Sequence, residues 1–90
     1  MPEQHLQVRI PPELAAGNFA DFIRAWHTSD AFVLDFAAFT DPPRKEDDRI
    51  VRDAAVVSRV RIPPAQVFEL MKALEQQLSA WEKENPGRKA

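Results

Sequence analysis

From Val56 to Trp81 the hydrophobic positions change period once, and the change falls at two prolines. Val56, Ser58, Val60 and Ile62 alternate with Ala55, Val57, Arg59 and Arg61, which is the two-residue period of a strand and predicts one over Ala54–Ile62. Beyond Pro63-Pro64, Val67, Met71, Leu74, Leu78 and Trp81 recur at spacings of four and three. Phe68 and Leu70 widen that stripe, so an amphipathic helix is predicted from Pro64 to Asn85. Proline fixes φ near the helical value and needs no amide partner, which suits Pro64 to the first turn. Pro86 restricts Asn85 and Gly87 follows, which ends the helix.

Three more strands are predicted upstream. Leu6, Val8 and Ile10 alternate with Gln7 and Arg9 until Pro11-Pro12 stops the run, and Glu13 to Gly17 forms a turn. Phe19–His27 alternates poorly, with Phe19, Ile23 and Ala25 on one face and Phe22 and Trp26 on the other, so both faces are expected to be covered. Phe32–Phe39 alternates cleanly, and the turn at Thr28-Ser29-Asp30 joins the two as a hairpin. The span 41–53 is rich in charge, holds two prolines and lacks apolar periodicity, which predicts a mobile loop. The expected architecture is an α+β fold: a four-stranded, mainly antiparallel sheet in meander order with one long C-terminal amphipathic helix packed on one face. Its single domain spans residues 6–85, between a flexible arm at 1–5 and a basic tail at 86–90.

Composition narrows the classes of function. Ninety residues with 44% hydrophobic side chains make one small domain. A lone domain of that size buries roughly 60% to 65% of its unfolded surface, which favours self-association. The formal charge of −2 argues against general attraction to nucleic acid or anionic lipid. No cysteine is present, so disulfides, thiolate nucleophiles and thiolate metal sites are excluded. Polar residues at the start and the lack of a long apolar run predict cytoplasmic residence without membrane attachment.

The echo of Val8-Arg9-Ile10-Pro11-Pro12 in Val60-Arg61-Ile62-Pro63-Pro64 places the same five residues at the end of two predicted strands. Chance convergence on a good strand terminator is the favoured origin over duplication, while the geometric parallel stands. Pro12-Glu13, Gly17, Ala20, His27, Phe32-Val33-Leu34-Asp35-Phe36 and Ser58-Arg59-Val60, followed by the C-terminal helix, give the chain a resemblance to the bacterial and archaeal DUF 3467 family over roughly Gln7 to Glu84. That resemblance implies the domain boundaries and brings no active site. Its charged segment Pro43–Asp53 is where departure from relatives is expected.

Asp35 lies inside an apolar strand, where a carboxylate needs a partner, and Arg24, Arg59 and Arg61 are the available cations. An ion pair is expected there ahead of a general acid or base of raised pKa. His27 is expected to bond the turn at Ser29 and Asp30, since His5 alone makes no ligand set with it. No nucleophile motif is present and two glycines build no phosphate cradle, so neither enzyme activity nor a cofactor is expected. Arg9, Phe22, Arg24, Trp26, Asp35, Val57, Arg59 and Arg61 are expected to share the sheet face opposite the helix, a mixture that suits a protein interface. The function expected is a homodimeric interaction or assembly module with an unknown protein partner. A sheet-face binder of single-stranded nucleic acid is the alternative, disfavoured because residues 1–65 carry ten acidic and eight basic side chains. A holdase-like chaperone that adds peptides to its sheet is the third reading.

Overall fold

The computed structural model describes residues 3–89. Met1 and Pro2 of the expected arm and Ala90 of the expected tail lie outside the described residues. In chain order come a short 3-10 turn (Pro12–Leu14), strands β1 (Phe22–His27), β2 (Phe32–Phe39), β3 (Arg44–Glu46), β4 (Arg49–Val51) and β5 (Ala54–Ile62), and helix α1 (Ala65–Glu84). Antiparallel pairing joins β1, β2 and β5 in that order, with β2 central. The strands β3 and β4 form a separate two-stranded sheet.

Local chemistry explains the joints. Thr28 Oγ1 accepts the amides of Asp30 and Ala31 at 3.3 and 3.2 Å, and the Thr28 amide donates to the Ala31 carbonyl at 2.9 Å. That short side chain therefore closes the β1–β2 hairpin by mimicking a backbone turn. At the far end of the pair, Asp21 Oδ2 accepts the Phe39 amide at 2.8 Å. Gln66 and Val67 donate to the carbonyls of Pro63 and Pro64, so helical bonding begins directly behind the strand. At the other end Asn85 donates both its amide and its side chain to the Trp81 carbonyl, and Gly87 takes a φ of 85°, where a Cβ would be strained.

Several expectations are corrected. Residues 41–53 do not lack regular structure: Arg44, Lys45 and Glu46 pair with Val51, Ile50 and Arg49 around Asp47-Asp48. Both aspartates have positive φ, at 45° and 64°, as the tightest hairpin turn demands. Arg44 ties the hairpin down, donating to Glu46 at 2.6 Å and to Asp53 at 2.5 Å. Leu6–Ile10 takes no regular structure and pairs with no strand, so among the described residues the sheet has three strands instead of four. The strand expected from Phe19 starts at Phe22, and its residues are exposed or half-buried, not covered on both faces.

The helix does not lie across its own sheet. Phe68, Met71, Leu74 and Leu78 are 64%, 60%, 59% and 45% exposed, although the spacing places them on a stripe that should be buried. The reason lies in the junction. With β5 ending at Ile62 and Pro64 already helical, Pro63 alone separates strand from helix, and that stiff link leaves no loop to fold α1 back. The chain is consequently open: its Cα radius of gyration is 17.7 Å, against about 12 Å for a compact domain of this length. Its accessible surface is 8452 Å², about 3,000 Å² more than a compact monomer of this mass exposes. Among the described residues only Val33, Asp35 and Ala37 of β2 are fully buried. No described helix is long and apolar enough to cross a membrane.

Candidate interaction surface

The register of the sheet sorts the two faces. Arg24, Asp35 and Arg59 align across β1, β2 and β5, while Trp26, Val33 and Arg61 align one step further along. Paired residues in an antiparallel sheet project from the same face, so these six share one side with Phe22 and Ala37. The ladder slips between Phe36 and Ala37: Ser58 faces Phe36 but Val56 faces Ala37, leaving Val57 as the extra residue of a bulge. Of the eight residues expected on one face, the sheet brings together Phe22, Arg24, Trp26, Asp35, Arg59 and Arg61. Val57 is displaced by the bulge, and Arg9 lies in the unpaired segment outside the sheet.

Asp35 is the centre of that face and has no exposed surface. Arg59 donates Nε to Oδ1 at 2.5 Å and Nη2 to Oδ2 at 3.0 Å, the two-pronged match of guanidinium to carboxylate. Trp26 Nε1 donates to Oδ2 at 3.3 Å from the diagonal position, and Arg24 Nη2 reaches the same oxygen at 3.4 Å. The hydrogen bonds from Arg59 dominate and bring the Asp35 pKa from 3.8 down to about 2; burial opposes them, while Trp26 and the charge of Arg24 assist. The same pairing raises the Arg59 pKa. An acid or base of raised pKa is therefore the wrong description of Asp35; the ion pair is the right one. Both arginines keep about half their side chains in solvent, and the Arg59 guanidinium lies 5.5 Å from the Trp26 ring. Phe22 meets Phe39 at 5.4 Å, and Arg52 caps the Phe39 ring at 3.8 Å.

His27 is not bonded to the following turn. Its ring stacks on Phe32, directly opposite in the ladder, at 5.3 Å between centroids. Thr28, not His27, supplies the side-chain bonds of that turn. Among the described residues no three metal-ligating side chains gather.

The other face is apolar and open. Ile23, Leu34, Phe36, Val60 and Ile62 line a cleft of about 380 Å³ closed on one side by Leu70 and Leu74 of the first helical turns. Leu74 remains mostly exposed despite that contact, and the rest of the stripe, Phe68, Met71 and Leu78, also faces solvent. Alternation in the sequence identifies every one of these side chains as apolar and one-sided. The missing signal is the source of their cover, because periodicity says that a stripe must be buried without saying by which chain.

The model of the family described as "Protein of unknown function (DUF3467)" matches residues 1–86. No curated protein and no solved structure matches the chain.

Proposed function

The chain belongs to the DUF3467 family, and we propose that it acts as a non-enzymatic, homo-oligomeric interaction or assembly module whose basic unit is a dimer. The observation that carries this reading is the open apolar surface that runs from the sheet face into the helix stripe. Lone soluble domains rarely present continuous apolar patches above a few hundred Å². The excess of about 3,000 Å² per chain over a compact monomer exceeds the roughly 800 Å² per partner of a standard interface and suits an obligate one. A two-fold pair satisfies the requirement economically, since each copy offers the stripe that the other needs.

The arginine face then points outward, as the surface offered to a different protein. Its carboxylate is neutralised within the chain, so it brings no unpaired buried charge, and Trp26 with the half-exposed arginines supplies area and donors. The same pairing weakens the single-strand nucleic-acid alternative. Arg24 and Arg59 both point their guanidinium groups at Asp35, which leaves Arg61 as the one arginine of that face without an ion pair among the described residues.

Sedimentation equilibrium at micromolar concentration tests the proposal: the expected species is a dimer that dissociates when Leu74→Glu puts a carboxylate into the stripe. A monomer that binds single-stranded oligonucleotides with steep salt dependence replaces it with the nucleic-acid reading.

A further inference from the structure

Leu6–Ile10 is built like a strand and lacks a sheet. It forms no strand within the single chain, and its alternating apolar residues Leu6, Val8 and Ile10 are 81%, 90% and 65% exposed. The same Val-Arg-Ile-Pro-Pro run at residues 60–64 is a strand end where β2 offers an edge. Identical residues thus pair in one place and stand alone in the other, and the difference is a missing neighbour. Resting on the dimer reading above, we propose that Leu6–Ile10 is a strand donated to the second copy, where it adds to the free edge of β1.

The two edges of the sheet are not equivalent acceptors. Along β5 the bulge at Val57 breaks the regular ladder, and Arg61, which has no ion pair among the described residues, stands on the face where Arg9 of an added strand would meet like charge. Such features protect an edge. By contrast β1 is regular over Phe22–His27, and its one arginine, Arg24, already faces Asp35. Parity also fits. With Leu6, Val8 and Ile10 on the apolar side they extend the row of Ile23 and Ala25 and cover Ile23, which is more than half exposed. Gln7 and Arg9 then join the side of Trp26, whose ring accepts a guanidinium. Backbone bonds supply affinity, as in other strand additions, and alternate side chains supply the register.

Amide hydrogen exchange on the full chain, above and below the dimer's dissociation range, reads the proposal directly. Residues 6–10 and the β1 amides should gain protection together as the dimer forms. Val8→Pro removes a ladder donor and should weaken dimerisation about tenfold or more, with helix content by circular dichroism unchanged. Fast exchange of residues 6–10 in a wild-type dimer, or protection that does not change with concentration, overturns strand donation and leaves the dimer standing. Protection gained along β5 instead of β1 overturns the edge assignment. A wild-type chain that stays monomeric throughout overturns the dimer reading itself.

Discussion

Arg59 holds Asp35 through two hydrogen bonds from the position directly opposite on the neighbouring strand, and the carboxylate they grip has no contact with solvent. That relationship turns a buried charge, costly on its own, into the anchor of the central strand.

A pH dependence follows from it. In the folded chain the Asp35 pKa is lowered to about 2 from 3.8, so the stability it contributes is present above the unfolded value and is lost as pH falls through that window. Thermal melts from pH 5 to pH 2 should show the loss in the wild type. In Asp35→Asn the midpoint should start lower and fall less across the same range.

The helix stripe should matter to association more than to the single chain. Leu74→Ala removes a side chain that is mostly exposed in one copy but, in the proposed dimer, buried by the other. The expected cost is about 2 to 3 kcal/mol of dimer stability, read as a weaker dissociation constant by sedimentation. An unchanged constant would place the interface elsewhere.

Thr28 should be the most sensitive turn residue, because its hydroxyl oxygen accepts two backbone amides. Thr28→Ala should cost about 1 to 2 kcal/mol in a urea titration, whereas Ser29→Ala, next to it, should be near neutral.

At the charged hairpin, Asp48 holds a φ of 64° that glycine adopts freely. Asp48→Gly should tighten the turn and slow tryptic cleavage after Lys45 and Arg49. Arg44→Ala should speed it, since Arg44 links the hairpin to Asp53.

Much of the fold was legible in the chain because its signals are local. The alternation of Phe32–Phe39 and Ala54–Ile62 located β2 and β5 to the residue, and the prolines at 63, 64 and 86 located α1 to within one residue at each end. The hairpin at 44–51 was missed because Asp-Asp is a poor signature for a turn that prefers Asn-Gly or Asp-Gly, and because its strands are charged. Leu6–Ile10 has the pattern of a strand, but a strand exists only beside an edge, which no local pattern encodes. The bulge at Val57 was invisible for a related reason: Ala54 to Val57 are all apolar and fix no face, and the slip arises from pairing with β2. Charge and burial narrowed the partners of Asp35 to Arg24, Arg59 and Arg61, and the register of the strands selects the first two.

The alignment of Arg24, Asp35 and Arg59 also bears on which pairing the chain selects as it folds. A slip of two residues keeps every apolar side chain on its proper face, so hydrophobic patterning does not reject it. Charge does. On β1 the same-face neighbours of Arg24 are Phe22 and Trp26, and either slip sets an aromatic ring against the carboxylate in place of a cation. On β5 a slip one way brings up Val57, and the other way offers Arg61, so that side is the more forgiving. Fidelity of strand alignment therefore rests chiefly on Arg24, the weaker of the two ion pairs in the folded chain.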